Sequence, residues 1–288
     1  MKTKFYLAVT LILLGCSSIF AQLTLPRESN RQSVTQTIGD TTVAVVYHRP
    51  NVKDRKIWDG LEPYGKVWRT GANEATVFEV SNDVKINGQT LPKGKYSLHT
   101  IPSQSEWTII FNKTAEQWGS FAYDQKQDAL RVTVKPMMKA ELQETMALAF
   151  ENVKANTADV IIAWERVKVP FTIDVGDVTG RTLTSIRTQM ASLKADDFRT
   201  PAQAAGWVLN SKMSANYEEA LKWVDASIKT RETVGNLYTK ARLLAELNRK
   251  AEAIATVEKA IAMGKAATPA VDTADLEKKL NEWKSSKQ

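Results

Sequence analysis

The chain has 288 residues, 43% of them apolar and 25% charged, with 39 Lys and Arg against 32 Asp and Glu. These values exclude a mainly disordered chain, a collagen and a multi-span membrane protein, and the length allows one to two domains. A single Cys excludes an intramolecular disulfide and Cys-rich zinc sites, and two His cannot supply a three-His metal site within one chain.

Residues 1–21 read as an export signal. Lys2 and Lys4 precede an apolar run from Phe5 to Leu14, broken only by Thr10. That run has the length of a signal core and is too short to span a bilayer. Ala21 before Gln22 is the expected cleavage point. Leu13-Leu14-Gly15-Cys16 resembles a bacterial lipobox, which would instead leave a lipid on Cys16 and make an outer-membrane lipoprotein. Both routes predict an exported protein, periplasmic or secreted. Removing Lys2 and Lys4 lowers the net charge from +7 to +5. This modest excess reads first as a solvated surface, with attraction to anionic lipid, glycan or acidic partners as the competing reading. Export argues against a nucleic-acid partner, and membrane contact is expected only through the lipid.

Residues 22–174 carry a period-two pattern. Val43, Val45 and Tyr47 alternate with Ala44, Val46 and His48, and Tyr96, Leu98 and Thr100 alternate with Ser97, His99 and Ile101. Further runs cover Glu74–Ser81, Trp107–Asn112, Leu130–Lys135, Thr145–Glu151, Val160–Glu165 and Val167–Ile173. Turn signals separate them, and Asn87-Gly88 is the clearest tight hairpin. Short strands without long intervening helices predict an antiparallel β-sandwich or jelly-roll-like domain.

The stretch from Tyr47 to Thr76 is too long for a plain connector and too aromatic for a disordered one. Arg49, Lys53, Arg55 and Arg69 form a candidate cationic site, since a guanidinium binds carboxylate or phosphate through two donors. Trp58, Tyr64 and Trp68 offer stacking faces to a sugar or aromatic ligand. Asn73, Glu74 and Thr76 complete the candidate set. The competing reading is internal: Arg69 pairs with Glu74, Asn73 satisfies loop backbone, and the Trp side chains fill the core.

Residues 175–182 read as a linker and 183–288 as helical. Leu183, Ile186, Met190 and Leu193 share one helix face, and helices are predicted over Ala202–Lys212, Tyr217–Lys229, Leu237–Leu247, Lys250–Met263 and Thr273–Lys284. Glu219-Ala220-Leu221 through Ile228 aligns with Glu252-Ala253-Ile254 through Ile261 at a spacing of 33. This resembles tetratricopeptide helix pairs, with Leu276, Leu280 and Trp283 on a closing helix. The chain as a whole is therefore expected to be α+β.

Catalytic patterns are sparse. Ser97 and His99 share one strand face and read as a satisfied polar face rather than a nucleophile and base. Glu74 with Glu79 or Asp59 is a possible carboxylate pair. His48 and His99 with a carboxylate make a poor metal site, so no metal and no cofactor is expected. No phosphate-binding Gly loop is present.

The string Tyr-x-Arg-Pro-x-Val-Lys-x-Arg-x-Ile-Trp-x-Gly-Leu-x-Pro-Tyr-Gly-x-Val-Trp-Arg-Thr-Gly-Ala-Asn-Glu-Ala-Thr, from Tyr47, resembles the bacterial family called domain of unknown function 2911. Leu91–Pro102, Trp107–Lys113 and Trp164–Phe171 agree with it. The resemblance covers roughly residues 22–174. It implies an exported protein of Gram-negative type and no established activity. The family pattern commonly has Ser at His48 and an aromatic at His99, so neither His is expected to carry a shared mechanism. The leading expectation is a β-sandwich that binds a small anionic or polar ligand, or an envelope protein. The alternatives are a hydrolase with Glu74 as general base and an interaction protein acting through the helical tail.

Overall fold

A computed structural model describes residues 25–285. The expected cleavage after Ala21 and the lipid on Cys16 lie outside the described residues. The chain divides after Gly176 into a β-unit and a helical unit.

The described residues of the β-unit form ten strands: β1 (Asn30–Ile38), β2 (Thr41–Arg49), β3 (Thr76–Val80), β4 (Val84–Ile86), β5 (Gln89–Leu91), β6 (Gly94–Ile101), β7 (Trp107–Asn112), β8 (Asp128–Val134), β9 (Met137–Glu151) and β10 (Thr157–Asp174). A six-stranded sheet has the order β1-β2-β3-β6-β7-β8, and a four-stranded sheet has the order β5-β4-β10-β9. Neighbouring strands are antiparallel. The chain crosses from the first sheet to the second for the β4–β5 hairpin, returns at β6, and crosses again after β8 for β9 and β10. Asn87 and Gly88 make that hairpin with φ of 47° and 84°, the left-handed pair that a two-residue turn needs.

The two sheets meet face to face. Phe78 of β3 and Phe111 of β7 lie 5.0 Å apart by ring centroid, and Phe171 of β10 sits 6.2 and 6.0 Å from them. Val43, Val45 and Tyr47 of β2 are buried on the same side. The alternation predicted there places Val46 and His48 on the opposite, outer face.

Strand β10 changes phase. Val160, Ile162 and Trp164 are buried at even positions, then Val167, Val169, Phe171 and Ile173 at odd ones. The pairing with β9 shifts between Ala163 and Glu165 and again before Val167, and Glu165 has φ of 55°. A bulge therefore joins two runs that the sequence presents separately.

The described residues of the helical unit form six α-helices: α1 (Val178–Met190), α2 (Arg199–Asn210), α3 (Tyr217–Thr230), α4 (Val234–Glu246), α5 (Lys250–Ala266) and α6 (Ala274–Ser285). The repeated segments fall on α3 and α5. Ala205, Val208, Ala220, Val224, Leu243 and Leu244 share one buried cluster. Ala241, Val257, Ala260 and Leu276 form another, with Leu280 and Trp283 of α6 packed against it. The closing role expected of α6 follows from these contacts.

The turn into α4 is fixed by a buried polar network. The Thr233 hydroxyl accepts from Asn236 N at 3.2 Å, and Asn236 Oδ1 accepts from Thr233 N at 2.9 Å. This is a reciprocal cap. Asn236 Nδ2 also donates to Ser227 Oγ and to Arg231 O, while Ser227 donates to Phe198 O. Asn236→Ala removes the partner of two part-buried backbone groups, Thr233 N and Arg231 O, and one of the buried Ser227 hydroxyl. It is expected to cost the helical unit about 2 kcal/mol, read as a lower urea midpoint by helical circular dichroism.

Candidate ligand-binding site

Residues 50–75 cross from β2 to β3 and are tied down along their length. Pro50 O accepts from Met146 N, and Val52 N donates to Glu144 O, both at 2.9 Å, which holds the start against β9. Trp68 exchanges two backbone hydrogen bonds with Thr100 of β6 at 2.8 and 2.9 Å. Ala72 N donates to His48 O, and a Cβ on Gly71 would stand 2.9 Å from that same oxygen. Gly71, with φ of 157°, is what lets the loop lie this close to β2. The return leg is pinned by Ala75 N to Gln117 O and Gly119 N to Asn73 O.

Beneath the loop four tryptophans interlock. Trp58 lies 5.7, 4.8 and 5.8 Å from Trp68, Trp107 and Trp164 in edge-on geometry, and Trp68 stacks on Trp164 at 5.7 Å. All four are buried. Trp58 and Trp68, expected as stacking faces, thus spend their rings on the core, which is the internal reading. Trp68 Nε1 donates to Gly71 O at 3.0 Å.

A pocket of about 160 Å³ opens between the loop and β10. Lys53, Arg55, Glu62, Arg69 and Trp164 are among its walls. Arg69 Nε and Trp164 Nε1 are buried and have no hydrogen-bond partner among the described residues. Burial pushes the Glu62 carboxyl up to about 7, against the opposing pull of Arg69 and then Arg55. Near neutral pH Glu62 therefore exchanges between a neutral donor and a charged acceptor. Lys53 lies 3.4 Å from Glu28 in an exposed pair.

The predicted residues part company here. Lys53, Arg55 and Arg69 converge on this pocket. Arg55 is partly committed, because its Nε and Nη2 donate to Val52 O and Asn51 O. Arg49 points elsewhere and donates from Nε to Met146 O at 2.7 Å, tying β2 to β9. Asn73 Nδ2 donates to Ser29 O, and the buried Thr76 hydroxyl donates to Thr70 O at 2.6 Å. Glu74 does not take Arg69. Its carboxylate accepts from Arg27 Nη1 at 2.7 and 2.6 Å and lies 3.4 Å from His48 Nδ1. Arg27 comes from the segment before β1, whose pairing with β2 brings the N-terminal residues alongside His48. Glu62 and Trp164 are not among the residues that the sequence singles out. Glu62 looks like any exposed Glu before a Pro, and Trp164 lies about 100 residues away from the loop.

Glu74 lines a second, larger hollow of about 590 Å³ on the outer face of the six-stranded sheet. The Arg27 hydrogen bond holds its carboxyl below the usual carboxylate range. That makes Glu74 a weaker proton acceptor than an ordinary Glu. His48 is lowered, chiefly by burial, with Glu74 opposing.

Ser97 and His99 lie farther along β6 and are fully buried. His99 Nε2 is 3.1 Å from Ser97 Oγ, and Nδ1 is 3.2 Å from Ser120 Oγ. Burial pulls His99 down to about 4. The pair is a neutral polar face roofed by the segment after β7. Among the described residues no group of three or more His, Cys, Asp or Glu is placed to hold a metal ion. No described helix is long and apolar enough to cross a membrane.

Comparison with known proteins identifies the β-unit. No curated protein and no solved structure matches the chain. The model of the family described as "Protein of unknown function (DUF2911)" matches residues 29–173. That interval runs from just before β1 to the penultimate residue of β10 and holds most lining residues of both pockets, Leu25, Arg27 and Glu28 lying before it. The chain belongs to the domain of unknown function 2911 family.

Proposed function

We propose that the β-unit binds a small carboxylate in the pocket walled by Arg69, Trp164 and Glu62. One observation carries this reading. Two buried N–H groups, Arg69 Nε and Trp164 Nε1, lack acceptors among the described residues and belong to side chains that line the same pocket. A buried donor without an acceptor costs about 1–3 kcal/mol, so a ligand that supplies acceptors recovers that energy. The ligand must be an acceptor, and Lys53, Arg55 and Arg69 favour an anionic one. The volume of about 160 Å³ restricts it to a few carbon atoms. Neutral Glu62 adds a donor to the same group. The apolar leader and the Ala21 site support an exported protein, so the ligand belongs to the periplasm or the exterior.

The test is a thermal-shift titration at pH 6 with acetate, succinate and inorganic phosphate. A ligand at 100 times its dissociation constant stabilises the folded state by about 2.7 kcal/mol. The expected result is a saturable rise with a carboxylate, weakened at least tenfold in Arg69→Ala. A rise that survives Arg69→Ala unchanged, or no rise with any of the three anions, overturns the proposal. Far-UV circular dichroism of the variant shows whether its fold is kept.

A further inference from the structure

We infer that the hollow on the outer face of the six-stranded sheet is a saccharide site, distinct from the carboxylate pocket, with which it shares Ser29 as a lining residue. Its floor is apolar. Val46 of β2 and Val77 of β3 are directly paired and point outward together, with Ala75 beside them. Its walls are polar and come from four separate segments. Arg27 and Arg31 enter from the N-terminal side, Glu74 from the end of the loop, Lys95 from β6, and Glu116 and Gln117 from the segment after β7. The volume of about 590 Å³ falls within the range of small-molecule sites.

The chemistry of the walls separates this site from the first pocket. There, the buried groups in want of partners are donors, which selects an anion. Here, the two carboxylates already face cations: Glu74 holds Arg27, and Glu116 accepts from Lys95. The walls therefore present donors and acceptors side by side with little surplus charge. The Gln117 amide is held by its nitrogen, which donates to Ser97 Oγ at 3.2 Å and Thr114 O at 3.1 Å. Its Oε1 is buried and has no partner among the described residues, an acceptor waiting for a donor. A neutral molecule whose hydroxyls both give and accept hydrogen bonds matches such walls. Its C–H face matches a floor of Val and Ala.

An exposed indole stands just outside the hollow, next to its lining residues Gln117 and Arg27. Trp118 follows Gln117 directly, bridges to Glu74 through the backbone, and is 56% exposed. The Arg27 guanidinium lies over one face of its ring, 5.5 Å from the centroid, which leaves the other face for a sugar. Because residues 117 and 119 are hydrogen-bonded to residues 75 and 73, the ring is carried on a fixed edge rather than a free loop. An exposed indole beside a hydroxyl-matching wall is the arrangement that stacks on a pyranose ring.

The test uses the purified, nitrogen-15-labelled full chain titrated with chitobiose, cellobiose and maltose, with acetate as the anion control. The expected result is a saturable shift of the Trp118 indole N–H resonance with at least one disaccharide. Affinity should fall at least tenfold in Trp118→Ala and stay within twofold in Arg69→Ala. No saturable shift with any of the three sugars, or equal affinity in Trp118→Ala, overturns the inference. Trp118 lies on the surface, so its replacement leaves the remaining spectrum as an internal check of folding. Failure here leaves the acetate response of the first pocket untouched, so the two readings fail separately.

Discussion

Trp164→Ala is expected to lower the stability of the β-unit by about 3–5 kcal/mol, the range for emptying a large aromatic site in a packed core. Trp164 is 1% exposed and touches two other indoles of the cluster, Trp58 at its edge and Trp68 in a stack. Its removal opens a cavity where indoles from both sheets and the long loop converge. The neighbours cannot collapse into it easily. Trp68 is held by two backbone hydrogen bonds to Thr100 and by its own indole bond to Gly71 O. Trp107 is fixed in β7, with its indole nitrogen donating to Ser103 O. Urea unfolding followed by tryptophan fluorescence measures the effect. A loss under 1 kcal/mol would mean that the cluster is loosely packed and that the loop is held mainly by its backbone bonds. Trp164→Phe, which keeps most of the apolar volume, should recover more than half of the loss. It also removes one of the two unpaired donors of the pocket, so its carboxylate affinity should fall even where its stability returns.

Much of this architecture is legible in the sequence because it rests on short-range periodicity. The alternation in β2 and β6, the Asn87-Gly88 turn and the spacing of 33 between the α3 and α5 segments each follow from local geometry. What stays hidden is long-range. Val160–Glu165 and Val167–Ile173 look like two strands because the bulge at Trp164–Glu165 inverts the inward parity, although the backbone continues as one strand. The length of the loop and its aromatic content announce that it must fold back, but not which side chains it turns inward. Arg49 and Arg69 look equivalent in the chain. One ties two strands together through Met146 O, while the other keeps a buried nitrogen without a partner. The same blindness applies to Glu74, whose partner Arg27 lies 47 residues earlier and reaches it only because β1 pairs with β2. Burial decides these roles, and burial of a polar side chain is set by the whole fold.

Glu62→Gln is expected to change the pH response of both stability and binding. Burial raises the folded-state carboxyl to about 7 from an ordinary 4.5. Between those two values the folded protein holds a proton that the unfolded chain has lost. Stability from this group is therefore full below about pH 4.5 and is lost as pH rises through 7. The shift corresponds to about 3 kcal/mol in total and to about 2 kcal/mol between pH 5 and pH 8. Glutamine has the same shape and never carries the charge, so the variant should lose that part of the pH dependence and gain stability at pH 8. Binding carries the same sign. Above pH 7 the ionised Glu62 repels an incoming carboxylate and ceases to donate to it, so affinity should fall as pH rises and approach tenfold per pH unit. In Glu62→Gln the affinity should be nearly flat across that range. Acetate titrations at pH 6 and pH 8, run beside urea unfolding at the same two values, separate the causes. If both stability and binding flatten in the variant, Glu62 is the titrating group and it faces the ligand. If stability flattens while binding keeps its slope, the carboxyl is buried as described but the anion binds elsewhere, and the proposed pocket is wrong.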